Sequence, residues 1–256
     1  MAADCRPGPA FQFRTAPYAS QLAATLGFFA MGLTVSPLCW LAFRLSGGRI
    51  PSATGQRFLR RVFRLYMRWM QLTGTLRLDV RGLEPLGAAG GTIFISNHPS
   101  LLDAVFFLAH LPPAACVMRA SLRRNPALAG GALAAGYITN DSGPAFVRQG
   151  IEKIQRGENL LVFPEGTRTV TPPVNCFQHG FALVAARTGA PVRAVAIEYA
   201  GVHLRKGVSL LAPAEIPLRF TLRAGPEFRR SPGESVPEFS RRIESWFRTH
   251  LGEAAS

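Results

Sequence analysis

Between Leu22 and Phe43 the chain reads LAATLGFFAMGLTVSPLCWLAF, with no charged position, a length that suits one helix crossing a bilayer. Its strongly apolar residues favour insertion by about 3 to 5 kcal/mol in total, which Gly27, Gly32, Ser36 and Pro37 erode. A monotopic hairpin broken at Pro37 is the alternative to a span. The next segment changes character. Arg57, Arg61, Arg64 and Arg68 recur every three or four residues with Arg60 beside them, while Leu59, Val62, Phe63, Tyr66, Trp69 and Met70 fall on the other side. That period predicts a basic amphipathic helix over 56–72 lying in a membrane interface; a solvated basic face on an ordinary packed helix fits the same pattern.

From residue 74 short apolar runs alternate with helical periods. This predicts an α/β fold, a mixed central sheet flanked by helices, with an N-terminal membrane-associated helical segment. Strands are expected at 75–81, 92–96, 115–119, 159–163, 192–199 and 218–224, and helices at 101–110, 144–156, 178–188 and 237–250. The last begins on a capping box, Ser235 with Glu238. The chain thus divides into a membrane-associated segment, 1–73, and an α/β domain, 74–256.

Composition sharpens this picture. Of 256 residues 48% are apolar and only 17% charged, and the mean hydropathy is +0.14; a disordered chain is excluded and membrane contact favoured. The net charge is +14, carried almost wholly by arginine, which points to a polyanionic partner such as nucleic acid, anionic membrane, phosphorylated substrate or acidic carrier protein. Basic residues follow the apolar stretch while only Arg6 and Arg14 precede it, so the positive-inside tendency puts the body on the cytoplasmic face of the membrane. Cys5, Cys39, Cys116 and Cys176 form no paired spacing and the five histidines are scattered, so neither a disulfide framework nor a metal site is expected.

Two stretches carry chemistry. Ser96-Asn97-His98-Pro99-Ser100-Leu101-Leu102-Asp103 lies where an apolar strand ends and a helix begins, the position where α/β folds bind ligands. Pro99 keeps His98 in the loop, whereas Asp103 falls in the first helical turn, so the two can face each other as a base and its orienter. Ser100 and Asp103 also fit a capping box, and the two roles are compatible. The second stretch, Phe163-Pro164-Glu165-Gly166-Thr167-Arg168, offers a glycine, a hydroxyl and a guanidinium, which suit a phosphate or similar anion.

In order and spacing these stretches resemble the blocks of the glycerolipid acyltransferase family. Asn97-His98 with Asp103 resembles its N-H-x-x-x-x-D catalytic block, and Phe163 to Arg168 its F-P-E-G-T-R acceptor block. Phe177-Gln178-His179-Gly180 resembles its F-K-x-G element with Gln in the Lys position, and Gly189-Ala190-Pro191-Val192 its final block. The resemblance spans roughly residues 75 to 215. One block departs: where the family has G-x-x-F-I-D-R, the chain reads Gly136-Tyr137-Ile138-Thr139-Asn140-Asp141-Ser142-Gly143, without the Arg.

The resemblance implies O-acyl transfer from acyl-CoA or acyl-carrier protein to the hydroxyl of a lysophospholipid, with lysophosphatidic acid the first expectation. Another lipid acceptor, of the aryl polyene or ornithine lipid type, would account for the missing Arg. His98 and Asp103 are then the catalytic pair, and Glu165, Gly166, Thr167 and Arg168 the acceptor-binding residues. No cofactor, metal or nucleic acid is expected; the partners are membrane lipids, the acyl donor and the lysolipid. A hydrolase is disfavoured because no G-x-S-x-G elbow is present, and a non-catalytic basic membrane-binding protein remains the last alternative.

Overall fold

The computed structural model describes residues 15–83, 90–140, 143–199 and 201–253. Arg6, Arg14, Cys5, Asp141 and Ser142, named above, lie outside these. A seven-stranded sheet forms the centre: β1 (Leu76–Arg81), β2 (Ile93–Ile95), β3 (Ala114–Met118), β4 (Ile138–Thr139), β5 (Asn159–Val162), β6 (Val192–Tyr199) and β7 (Leu218–Phe228). Their spatial order is β1-β7-β6-β2-β5-β3-β4. All neighbours run parallel except β6 and β7, which are antiparallel.

Parallel neighbours need crossovers, and helices supply them. Helices α1 (Thr15–Leu45), α2 (Ser52–Leu72), α3 (Asp103–His110) and α4 (Ala129–Ala134) precede α5 (Gly143–Gln155), α6 (Gly180–Thr188) and α7 (Val236–Glu253). The central strands β2 and β5 are apolar at successive positions because both of their faces are covered. Phe94 joins one core with Met70, Phe106, Phe107 and Phe220, while Ile93 and Ile95 join the other with Phe181, Phe239 and Phe247. The period of two along a strand divides these side chains between the faces.

The N-terminal helices differ from expectation in two ways. First, the apolar face of α2 is already occupied by protein: Leu59, Tyr66, Met67 and Met70 are buried, so this face is not available to a bilayer. The basic stripe is divided as well. Arg60 donates to the Ala109 and His110 carbonyls at 3.3 and 3.0 Å, and Arg64 to Ala109 at 2.8 Å, which satisfies carbonyls at the C-terminal end of α3. Second, Pro37 does not break the apolar segment but stays inside α1. The hairpin turn comes later, at Ser46–Pro51.

Helix α1 lies along the domain instead of leaving it. Near its start Gln21 is buried against residues 203–214; further on, Tyr66 donates to the Ala24 carbonyl at 3.0 Å and Ser36 Oγ accepts from the Gly130 amide at 2.9 Å. Gly130 is needed there, since a Cβ would sit 1.9 Å from the Ser36 carbonyl oxygen. The opposite side of α1 is uncovered: Leu26 is 67% exposed, Leu38 63% and Leu45 79%, with Phe29, Leu33, Trp40 and Leu41 also exposed.

Candidate active site

The loops after β2, β3, β5 and β6 all leave the same edge of the sheet, because these strands are parallel. That edge collects the chemistry. Asn97 anchors the first loop through two bonds to Ile197 of β6, its amide nitrogen donating to the carbonyl at 2.8 Å and its oxygen accepting from the N–H at 2.9 Å. His98 follows, its ring stacked on Phe163 at 4.3 Å between centroids. Its Nδ1 lies 2.7 Å from Asp103 Oδ2.

Asp103 is fully buried and well supported. Its Oδ2 also accepts from the Ser100 amide at 2.7 Å, and its Oδ1 accepts from the Ser100 hydroxyl. A carboxylate held in this way fixes Nδ1 as the protonated ring nitrogen, leaving Nε2 as the acceptor. Nε2 has no protein partner among the described residues, and the imidazole is 21% exposed, so a hydroxyl can approach it.

The Phe163–Thr169 loop turns at Gly166, where φ is +66° and a Cβ would lie 2.6 Å from Gln178 Nε2; only glycine accommodates both conditions. Glu165, expected in the acceptor-binding group, is turned inward. It is 5% exposed. Oε1 accepts from the His98 amide at 2.9 Å and Thr169 Oγ1 at 2.8 Å, and Oε2 accepts from the Asn175 amide at 2.8 Å. Burial raises its carboxyl above the ordinary range, with these donors pulling in the opposite direction. Both oxygens are thus occupied, Oε1 tying the His98 loop to its own and Oε2 bracing its own loop at Asn175, and a carboxylate would in any case repel an anion. The Thr169 amide reinforces the joint by donating to the His98 carbonyl at 2.7 Å.

Arg168 is half-buried beside this joint. Its Nη1 donates to the carbonyls of Leu204 and Arg205 at 2.8 and 3.1 Å, which leaves the rest of the guanidinium for a ligand. Its pKa is lowered, first by burial and also by neighbouring Arg119, with the Asp103 charge acting the other way. Arg119 is the residue that sequence reasoning missed. It stands at the end of β3, is exposed, and its Nη2 reaches the Gly166 carbonyl at 3.4 Å. An arginine at the C-terminal end of an apolar strand was the available signal. Thr167 is half-buried next to it and makes no hydrogen bond with the described residues. Among those residues no three His, Cys, Asp or Glu side chains cluster as metal ligands.

The arrangement offers a general base and its orienter beside two arginines suited to an anion, within an α/β sheet; it can activate a hydroxyl carried by an anionic molecule. Comparison with known proteins agrees with that chemistry. Residues 77–198 match the Acyltransferase family model. A lyso-ornithine lipid O-acyltransferase of Pseudomonas aeruginosa is 28% identical over 188 residues, 69% of this chain and 67% of the relative. The 1-acyl-sn-glycerol-3-phosphate acyltransferase of the same organism is 25% identical over 245 residues, 91% and 92% of the two chains. The crystal structure of a lysophosphatidic acid acyltransferase from Thermotoga maritima shares the fold, with a TM-score of 0.68, 22% identity and coverage of 94% and 95%. The protein is therefore an O-acyltransferase acting in lipid metabolism. More particularly, residues 77–198 carry an Acyltransferase domain, and the relatives that the chain resembles are named as lysolipid acyltransferases.

Proposed function

We propose that the protein acylates an anionic lysolipid, lysophosphatidic acid first, using acyl-CoA or acyl-carrier protein as donor, at the cytoplasmic surface of a membrane. The observation that carries this reading is the His98–Asp103 pair set beside Arg119 and Arg168. The acceptor hydroxyl gives its proton to His98 Nε2 as its oxygen attacks the thioester carbonyl carbon. The carbon–sulfur bond then breaks, and the imidazolium returns the proton to the departing thiolate. Asp103 stabilises the transient imidazolium. No covalent acyl-enzyme is needed, since thiols leave far more readily than alkoxides.

Arg168 and Arg119 bind the phosphate, with Gly166 and Thr167 allowing its close approach. Arg119 supplies positive charge that the Gly136–Gly143 block lacks. The exposed apolar side of α1 seats the enzyme in one leaflet, because the opposite side is committed to the domain along most of its length, which favours embedding over crossing. The similarity to the lyso-ornithine lipid enzyme supports a second reading, in which a zwitterionic lysolipid replaces the phosphate. Thiol release from acyl-CoA and acyl-carrier protein, measured with each acceptor and in His98→Ala, separates the two. Release dependent on lysophosphatidic acid and His98 supports the first, and release only with lyso-ornithine lipid supports the second.

A further inference from the structure

The segment after β6, residues 201–217, touches both α1 and the acceptor site. On the α1 side, the side chain of buried Gln21 is fully engaged with this segment. Its Nε2 donates to the Ala212 carbonyl at 2.7 Å and to Leu210 at 3.3 Å, and its Oε1 accepts from the Ala214 amide at 2.8 Å. The neighbouring Tyr18 hydroxyl donates to the Leu211 carbonyl at 3.3 Å.

On the site side, the Leu204 carbonyl accepts from both Arg168 Nη1 and the Leu101 amide, the latter at 3.1 Å. Leu101 belongs to the loop that carries His98. Leu204 is buried and holds φ at +69°, the one non-glycine residue with positive φ among the described residues. A bulky residue in that region is strained and persists only where its surroundings hold it there. Its surroundings here are Arg168 and Leu101 on one side. On the other, the Tyr199 hydroxyl holds the His203 carbonyl and Gln21 holds residues 210–214.

We infer that Gln21 is a positioning residue for acceptor binding: from α1, it fixes the 203–214 segment so that the Leu204 and Arg205 carbonyls aim Arg168 at the acceptor's anionic group. This inference rests on the proposed role of Arg168. The helix that seats the enzyme on lipid is then the same helix that props the arginine receiving the lipid head group. Gln21 touches no substrate and acts only through the segment, so its loss weakens acceptor capture more than the chemical step.

The test is a double-mutant cycle on the full chain, reading the acceptor KM for lysophosphatidic acid and kcat separately, with thermal midpoints as a check on folding. Gln21→Leu is expected to raise the acceptor KM about tenfold, the loss of roughly one hydrogen bond to a charged group, with kcat and donor KM little changed. In an Arg168→Ala background the same substitution should add almost nothing, because coupled residues are not additive. Should Gln21→Leu fail to fold, Gln21→Asn keeps the amide but is too short to reach Leu210, Ala212 and Ala214 together, and should give the same pattern. Additive effects, or equal losses for acceptor and donor, overturn the inference alone. An acceptor KM unchanged in Arg168→Ala removes both the inference and the assignment of Arg168.

Discussion

Asp103 Oδ2 and His98 Nδ1 are 2.7 Å apart, and the same carboxylate receives the amide and hydroxyl of Ser100. With this support Asp103 is held in register, and His98 presents Nε2 to the acceptor. His98→Ala should reduce turnover by about 10² to 10⁴-fold, the usual contribution of a general base. Asp103→Asn should cost a comparable factor while preserving volume, since an amide nitrogen facing Nδ1 selects the wrong tautomer. Both variants should bind acceptor normally. Single-turnover thiol release at saturating lysolipid measures this, and a mild loss in both would remove the base from the mechanism.

Arg119 should matter through charge. Arg119→Ala is expected to raise the KM for a phosphate-bearing acceptor about tenfold, as one charge-assisted hydrogen bond is worth roughly 1.5 to 3 kcal/mol. The effect should shrink as salt is added. Arg119→Lys should restore part of it. Identical kinetics in wild type and Arg119→Ala at low ionic strength would take Arg119 out of the site.

Glu165 should behave as a fastener between loops. In Glu165→Gln the side-chain nitrogen faces donors it cannot accept, leaving a buried N–H unsatisfied at a cost of about 1 to 3 kcal/mol. The thermal midpoint should fall by several degrees and kcat should fall with it, because Glu165 holds the His98 backbone. A variant with an unchanged midpoint and a raised acceptor KM alone would return Glu165 to direct contact with the acceptor.

The contrast between Glu165 and its neighbours shows how far the sequence could be read. The strands around Phe94 and Leu160 were legible because burial on both faces forces continuous apolar runs. His98 and Asp103 were legible because Pro99 fixes the loop between them. The inward turn of Glu165 was not legible because a charged residue in a ligand loop looks the same whether it faces inward or outward. The face of α2 carrying Leu59 and Met70 suits lipid and protein equally, and only tertiary packing decides between them. Helix α4 and β4 escaped notice since Ala129–Ala134 and Ile138–Thr139 are too short for a period to show.

The uncovered side of α1 should govern attachment to lipid. Replacing Leu26, Phe29 and Leu33 together by serine removes three side chains, each worth about 1.5 to 3 kcal/mol when buried. Co-sedimentation with anionic vesicles should fall by at least 100-fold in partition coefficient, while activity on a short-chain, water-soluble acceptor should persist. Retained sedimentation of the triple variant would place membrane contact elsewhere.

Glu158 predicts an acid-sensitive joint between α2 and the sheet. It accepts from Lys153 Nζ at 2.9 Å, Ser52 Oγ at 2.7 Å and Gln56 Nε2 at 3.2 Å. Burial pushes its carboxyl up, but the bonds from Lys153, Ser52 and Gln56 outweigh that and hold it below its ordinary value of 4.5. Just below pH 4.5 the unfolded chain therefore binds the proton more readily than the folded one, so stability rises with pH in that window. The contribution is fully present above 4.5 and is lost as pH falls through the lower folded value. Glu158→Gln should lower the thermal midpoint at pH 7 and flatten its dependence on pH below 4.5. Thermal unfolding of both proteins between pH 3 and 7 provides the comparison; parallel curves would show that Glu158 does not carry this acid sensitivity.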